Sequence, residues 1–212
     1  MTDEIILIKE WKTPATDYPE IEFGSARIRR EKYTKGYYHN YGLRGYEYFE
    51  VKKPIDITCL EIKDEQGIWK TWMVDDCPHW WAMQKYAENS SGRVLVAGLG
   101  LGLVTWELLK NVDVSSITVI ERNEDVIGLI SPFLHVEVED NLDNLQILNK
   151  DFYDFIHETE EKFDRIIVDL WVTGSKEETL RVLNDEVKPL SYYLMKMFPN
   201  ASTVFHGFGL SW

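Results

Sequence analysis

Cysteine is scarce in this chain of 212 residues, which contains only Cys59 and Cys77. Two cysteines outside a C-x-x-C spacing are too few for a disulfide framework, so we expect both to be buried apolar filler in a reducing compartment. The sequence has no run of 18 consecutive apolar residues, which excludes the usual transmembrane helix. Its first four residues, Met-Thr-Asp-Glu, lack the basic start of a secretory signal. These absences predict a cytoplasmic protein that does not bind membranes.

The chain also has few basic residues. It contains 23 Lys and Arg and 36 Asp and Glu, which give a formal net charge of −13. This balance argues against wholesale adhesion to nucleic acids or anionic membranes. Residues 26–53 depart from it, with eight basic against three acidic side chains and seven interleaved aromatic residues. Such a composition allows a single strand or a flipped base to bind through residues 27–53. It is more typical of a β-sheet with an exposed face, and both interpretations stay open.

A glycine-rich junction lies in the middle of the chain, where the apolar run that begins at Arg93 ends in Gly98, Gly100 and Gly102. This pattern predicts a buried strand that leads through a loop into a helix. A helix start offers unpaired N–H groups and a positive dipole end, and glycines let a ligand approach the backbone closely. A dinucleotide-binding loop would require glycine at position 103, which is Leu103. The junction therefore favours a different nucleotide-like ligand over a plain turn.

Three further predicted strands each deliver an acid at the carboxyl end: Ser116–Glu121, Leu145–Asp151 and Phe163–Trp171, the last with Asp169. Open α/β sheets bind ligands at this edge, so Asp169 is the candidate catalytic residue, with a turn-capping role as the alternative. Glu121 lies about 20 residues beyond the glycines and suits the two hydroxyls of a ribose, because a carboxylate offers only acceptors. Its alternative role is an N-terminal charge for the next helix.

Four strand–helix units in this order resemble the core of class I S-adenosylmethionine-dependent methyltransferases, and most of all the spermidine-synthase-like branch. Segments 116–127 and 166–169 carry the likeness together with the glycine loop. The resemblance implies S-adenosyl-L-methionine as cofactor, with its adenine beside Asp151 and Phe152; Asp151 is also a candidate helix N-cap. The implied cofactor-binding residues are Gly98, Leu99, Gly100, Gly102, Glu121, Arg122, Asp151 and Phe152.

The expected function is methyl transfer to an unidentified acceptor, most simply a small molecule. The alternatives are a spermidine-synthase-like aminopropyltransferase and a non-catalytic cofactor-binding or assembly module. A homodimer is a further expectation for the protein. Leu99 and Leu101 occupy the loop in which aminopropyltransferases usually carry an aspartate, and Asp169 is not followed by their acidic, serine-containing run. Val96 occupies the position at which many methyltransferases have an acid. The sequence therefore leaves the transferred group open.

The predicted fold is α/β: a Rossmann-like core over residues 91–212, with a mainly parallel sheet shortened to about five strands, follows a small β-rich lobe over residues 1–90. Helices are expected from Asn123 to about residue 130, from Phe152 to about residue 162 and from Lys176 to Phe198. A cluster of acids, thiol and imidazole at residues 75–79 is interpreted as a helix entry rather than a metal site. His79 and the two tryptophans after it are substrate-side candidates.

Overall fold

Three β-sheets and six α-helices make up the part of the chain that the computed structural model describes, residues 5–8, 11–42, 45–137, 143–208 and 210–211. The strands are β1 (Ile5–Ile8), β2 (Ile21–Phe23), β3 (Ala26–Tyr33), β4 (Gly36–Gly42), β5 (Gly45–Val51), β6 (Ile55–Lys63), β7 (Trp69–Val74), β8 (Gly92–Ala97), β9 (Val114–Glu121), β10 (Leu145–Asn149), β11 (Arg165–Val168), β12 (Ser202–Phe205) and β13 (Leu210–Ser211). The helices are α1 (Cys77–Glu88), α2 (Leu103–Lys110), α3 (Glu124–Glu137), α4 (Phe152–Glu158), α5 (Lys176–Val182) and α6 (Lys188–Met197).

The largest sheet has the strand order β10-β9-β8-β11-β12-β13, and its first five strands are parallel. The order reverses direction between β8 and β11, which is the switch point at which doubly wound sheets bind ligands. The prediction of a Rossmann-like core with a mainly parallel sheet is confirmed. The sheet has the five parallel strands that the sequence predicted, and a short addition was not expected: the chain turns back at Gly207 (φ +78°) and the two-residue β13 pairs antiparallel with β12.

The apolar run before the glycine loop forms the centre of this sheet. Along β8, Val94 and Val96 belong to the apolar cluster on the face covered by α1, α2 and α3, whereas Leu95 and Ala97 belong to the cluster on the opposite face with α4, α5 and α6. All four side chains are fully buried. A strand buried on both faces reads as a continuous apolar run, which explains the sequence pattern.

Packing also explains why helix lengths differ from the expected ones. Helix α3 continues to Glu137 because its apolar face remains in contact with the core through Leu134, and α4 ends at Glu158 because Ile156 is its last buried residue. The single helix expected after residue 176 contains a π-helical turn, Leu183–Val187, between α5 and α6. Tertiary contact, more than local propensity, sets the length of such helices. Among the residues that the structure describes, no helix is both long and apolar enough to cross a membrane.

The N-terminal part is β-rich, as predicted, and contains two small sheets. One is antiparallel, with the order β2-β3-β6-β7; in the other, β1 pairs parallel to β5 and β4 pairs antiparallel to it. Cys59 and Cys77 are free and buried in an apolar cluster there, which confirms that prediction. Helix α1 packs into the core cluster through Met83 and Tyr86 although it precedes residue 90. The domain boundary between residues 90 and 91 stays a prediction.

Candidate active site at the switch point

A cavity of about 520 Å³ opens at the carboxyl ends of β8, β9, β10 and β11, at the switch point of the sheet. Seven of the nine sequence-predicted site residues line it: Gly98, Gly100, Glu121, Arg122, Asp151, Phe152 and Asp169. The other two have supporting positions. The Leu99 side chain is buried in the core, and Gly102 begins α2 where an added Cβ would lie 3.0 Å from Leu134 of α3.

The glycine loop needs glycine for two different reasons. At Gly98 the backbone has φ +94°, and a Cβ would lie 2.5 Å from the carbonyl oxygen of Asp169. At Gly100, φ is +52° and a Cβ would lie 2.4 Å from the Met73 sulfur. The amide of Leu101 donates a hydrogen bond to the same sulfur over 3.0 Å. At both positions the positive φ and the close neighbours exclude a side chain. The contacts of Met73 show that strand β7 of the lobe packs directly against the loop.

Glu121 joins the glycine loop to the start of the next helix. Its Oε2 accepts a hydrogen bond from the Leu99 amide over 3.0 Å, and its Oε1 accepts one from the Asn123 amide over 2.8 Å. The side chain lines the cavity although the residue is only 8% exposed. Because a carboxylate has about four acceptor sites, two remain for ligand hydroxyls. The structure thus gives Glu121 a role in holding the loop that is compatible with binding a ribose.

Asp151 is the N-cap of α4, which was one of the two roles considered. Its Oδ1 accepts hydrogen bonds from the amides of Tyr153, over 2.8 Å, and Asp154, over 3.4 Å. Phe152 is buried beside it and meets the Tyr153 ring edge to face. A buried ring next to a fixed carboxylate at the cavity wall is a suitable surface for a flat heterocycle.

Asp169 and His79 meet across the cavity floor although they are 90 residues apart in the chain. The His79 Nε2 atom lies 3.7 Å from Asp169 Oδ2, and the two side chains are 14% and 12% exposed. Among the residues that the structure describes, this buried nitrogen has no hydrogen-bond partner. Burial raises the pKa of Asp169, partly countered by His206, whereas burial and then the nearby His206 lower the pKa of His79. Both shifts favour the neutral forms. The raised pKa makes the Asp169 carboxylate, when it is ionised, a stronger base, and the lowered pKa keeps the His79 imidazole unprotonated.

His206 completes this group and was missed by the sequence analysis. It follows β12 directly, and its amide donates to the Val168 carbonyl over 2.9 Å, which places it beside Asp169. Its ring centroid lies 4.5 Å from that of His79, and its Nδ1 lies 3.2 Å from the Tyr86 hydroxyl. The rule that polar residues follow parallel strands, applied to the fifth strand as it was to the first four, would have found it.

The segment at residues 75–79 is a helix entry. Asp76 caps α1 by accepting from the His79 amide over 3.0 Å, and Asp75 is buried where it accepts from the Thr58 amide over 2.6 Å. Their carboxylates therefore serve the backbone, whereas the His79 ring faces the cavity. Its assignment to the substrate side stays a prediction that this position favours.

The outer rim of the cavity comes from the segment after β11. The Trp171 Nε1 donates to Glu186 Oε2 over 2.6 Å, and Glu178 Oε2 accepts from the Gly174 amide over 2.8 Å. Glu186 belongs to the π-helical turn, a feature that is frequent at functional sites. Together with Arg181, these residues were also missed by the sequence analysis, although they line the cavity.

Most described cations of the basic, aromatic stretch are paired within the lobe. Arg27 Nε lies 2.5 Å from Glu61 Oε2, and Lys32 Nζ lies 2.5 Å from Asp56 Oδ1. The Arg30 guanidinium donates hydrogen bonds to the carbonyl oxygens of Ala15, Thr16 and Tyr18. Arg44 lies outside the described residues. Nucleic-acid binding through residues 27–53 stays a prediction, as does a homodimer.

Residues 81–186, half of the chain, match the family model described as spermine/spermidine synthase domain. The chain belongs to this family. The resemblance of the sequence to the spermidine-synthase-like branch is thereby confirmed. The matched range contains the glycine loop, Glu121, Asp151 and Asp169, but neither His79 nor His206.

Two curated relatives of this chain are polyamine aminopropyltransferases. The protein from Sulfurisphaera tokodaii is 31% identical over 84 residues, which are 39% of this chain and 28% of that protein. The protein from a Ruegeria species is 34% identical over 85 residues, which are 39% of this chain and 30% of that protein. The matched stretch thus spans less than a third of either relative.

The fold of this chain is similar to the solved structure of a dimethyladenosine transferase from Plasmodium falciparum. The similarity covers 61% of this chain and 41% of the transferase. Its sequence identity is 19% and its TM-score is 0.44. A likeness this remote has no bearing on function.

Proposed function

We propose that this chain transfers an aminopropyl group from decarboxylated S-adenosylmethionine to an amine. Membership of the spermine/spermidine synthase family supports this function over methyl transfer, which the sequence suggested first. The adenosyl part of the donor is the same in both reactions. We therefore assign the ribose to Glu121 and the adenine to Asp151 and Phe152, with the sulfonium arm over the glycine loop.

The charge distribution in the cavity is the observation that supports the proposal most directly. The charged lining residues are the acids Glu121, Asp151, Asp169, Glu178 and Glu186 and the bases Arg122, Lys150 and Arg181. Arg122 and Lys150 follow β9 and β10, which lie on the other side of β8 from β11, and Arg181 Nη1 lies 3.9 Å from Glu186 Oε1. Among the described lining residues at β7, β8, β11 and β12, Asp169 is an acid and no Lys or Arg is present.

This distribution discriminates between the two donors because they differ by one carboxylate. An intact methionine arm would bring that carboxylate to a part of the cavity that already holds Asp169 and offers it no cation. Placing an unpaired charge there is costly. A decarboxylated arm carries only positive charge, and Asp169 is a matching partner for it.

The residues of the cavity fit such a donor. The close contacts at Gly98 and Gly100 keep the loop backbone free of side chains, and the buried Nε2 of His79 has no hydrogen-bond partner in the described part of the chain. When bound, the donor supplies a carbon made electrophilic by the adjacent sulfonium. The protein then has to align an amine with that carbon, exclude water and remove a proton from the incoming ammonium.

We assign proton removal to Asp169 together with His79. The raised pKa of Asp169 makes its carboxylate a stronger base than an exposed aspartate, and the lowered pKa of His79 keeps its imidazole unprotonated near neutral pH. The acids at the rim, Glu178 and Glu186, suit a second ammonium group on the acceptor. A diamine is therefore the acceptor class that the cavity favours.

The test combines binding with product analysis. Thermal unfolding is followed with methylthioadenosine, decarboxylated S-adenosylmethionine, S-adenosylhomocysteine and NAD, since a ligand at a hundredfold excess over its Kd stabilises by about 2.7 kcal/mol. Mass spectrometry then follows each donor with diamines of three to five carbons. Methylthioadenosine formed together with an extended amine supports the proposal. A methylated amine from the intact donor would replace it with methyl transfer, and ligand binding without either product would leave a non-catalytic module.

Asp169→Asn separates chemistry from binding. Because the amide cannot take up a proton, we expect turnover to fall by about a hundredfold or more while the thermal shift with methylthioadenosine persists. The matched control is Asp164→Asn, at the opposite end of β11, where the exposed Asp164 pairs with Arg93. This control should retain full turnover. Equal activity of the two variants would remove Asp169 from the reaction.

A further inference from the structure

We propose that His206 and Tyr86 form the proton exit of this active site, receiving through His79 the proton that Asp169 or His79 takes from the acceptor. The inference rests on the proposed transfer to an amine. His206 is the connecting residue, and Tyr86 is a positioning residue that orients its ring. Neither was assigned a role by the sequence or by the family match.

The reaction creates the need for such an exit. The acceptor enters as an ammonium ion and gives one proton to the Asp169–His79 pair, which leaves a lone pair on nitrogen. The nitrogen forms a bond to the carbon next to sulfur, the carbon–sulfur bond breaks with its electrons on sulfur, and the products are a neutral thioether and a secondary ammonium. One proton per turnover thus stays on the pair, whose side chains are only 12% and 14% exposed.

The geometry places His206 next to the pair. Asp169 Oδ2 lies 3.7 Å from His79 Nε2, and the His79 and His206 rings approach edge to face with centroids 4.5 Å apart. His206 is partly exposed and lines the cavity, whereas Tyr86 is buried. A partly exposed imidazole at this position can accept a proton inside the cavity and release it to solvent.

Tyr86 sets the orientation of the His206 ring. Its hydroxyl lies 3.2 Å from His206 Nδ1, and either atom can donate. When Nδ1–H donates to the phenol oxygen, the lone pair on Nε2 is left to accept the proton. Burial raises the pKa of Tyr86, with the nearby Asp169 adding to the effect, so Tyr86 remains a neutral phenol. Replacing Tyr86 by Phe removes this hydroxyl while it retains the ring that packs in the core.

The kinetic test uses His206→Ala and Tyr86→Phe. We expect both variants to lower kcat by about tenfold to a hundredfold with little change in KM for the donor, and we expect added imidazole to restore kcat of His206→Ala. Rescue by a free proton carrier is not expected for a residue that only packs. Unchanged kcat in both variants, or a loss in His206→Ala that imidazole does not restore, would overturn the proposal.

The chain contains a matched control pair elsewhere. The His157 Nδ1 atom lies 2.6 Å from the Tyr193 hydroxyl, with ring centroids 4.4 Å apart, between α4 and α6 and outside the cavity lining. His157→Ala and Tyr193→Phe remove the same chemical groups from a similar contact. Both should keep the wild-type kcat at every imidazole concentration.

Titration of His79 by NMR distinguishes failure of this inference from failure of the proposed function, because it needs no turnover. The charged or titratable groups around His79 are Asp169, His206 and the capping Asp76, with Tyr86 behind His206. Since His206 lowers the pKa of His79, His206→Gln should raise it. An unchanged pKa of His79 would show that the two rings are not coupled, and it would overturn this inference even if aminopropyl transfer were established. A raised pKa in a chain without turnover would refute the proposed transfer and leave the ring coupling in place.

Discussion

At the scale of single residues, Glu121 shows how one side chain serves both the scaffold and a ligand. Its two oxygens hold the amides of Leu99 and Asn123, so the same carboxylate that faces the cavity also determines the path of the glycine loop. The sequence predicted the ligand role from the position of the acid after its strand. The backbone contacts depend on the loop folding back onto the strand end, which no local pattern specifies.

We predict that Glu121→Ala abolishes the thermal shift with methylthioadenosine and also lowers the free energy of unfolding by about 1–3 kcal/mol, since the buried Leu99 amide loses its acceptor. Urea titration and thermal unfolding with and without ligand measure the two effects. Glu124→Ala is the control, because Glu124 is exposed at the start of α3. A variant with wild-type stability would contradict the scaffold role, and a persisting ligand shift would contradict the ribose role.

At the scale of elements, the glycine loop and strand β7 form one unit. Met73 comes from the lobe and contacts the loop at Gly100 and Leu101, so the loop is shaped by a residue almost 30 positions earlier in the chain. The glycine spacing alone indicated a ligand loop between β8 and α2. It contained no information about which side chain would cover the loop.

Gly100→Ala tests this unit against a matched glycine. Gly67, in the turn between β6 and β7, also has a positive φ (+77°), but an added Cβ there meets nothing within 4 Å. We expect Ala to cost about 1–2 kcal/mol of stability at either position because of the left-handed backbone. Only Gly100→Ala, which displaces Met73, should weaken methylthioadenosine binding as measured by calorimetry. Equal affinities of the two variants would show that the Met73 contact does not shape the binding site.

At the scale of the whole molecule, the lobe is one wall of the cavity. Residues 71–74 line it from the lobe side, and the Tyr18 ring stacks on Phe133 of α3 at a centroid distance of 4.3 Å. A second attachment lies at the turn before β3, where the amide and hydroxyl of Ser25 each donate to Asp125 Oδ2 over 2.7 Å. The cavity therefore depends on how the lobe and the core are held together.

The Ser25–Asp125 contact predicts a pH dependence. Hydrogen bonds from Ser25 hold the pKa of Asp125 below its ordinary value. The carboxylate therefore contributes stability above the ordinary aspartate range, and this contribution is lost as the pH falls through the lowered pKa. Urea titrations should show that the difference in unfolding free energy between wild type and Asp125→Asn begins to shrink below about pH 5 and continues to shrink as the pH falls below the ordinary aspartate pKa of about 3.9.

A second aspartate separates this local effect from general acid sensitivity. Asp164 also has a lowered pKa, through its hydrogen bonds with Arg93, so Asp164→Asn should show the same pH trend. Hydrogen exchange at neutral pH should become faster in residues 21–33 for Asp125→Asn and remain unchanged there for Asp164→Asn. Equal exchange in both variants would mean that this contact does not attach the lobe.

The sequence by itself determined the units of the core and the edge at which its chemistry lies. Apolar strands that end in glycine or an acid are local patterns, and parallel strands necessarily bring their carboxyl ends to one edge. The tertiary structure decided which distant residues join that edge. The sheet order places β11 beside β8 and β12 beside β11, and the lobe covers the glycine loop. Only this arrangement brings together the four cavity residues Met73, His79, Asp169 and His206. Sheet order and lobe docking are set by the burial of whole faces, and a reading along the chain does not contain that information.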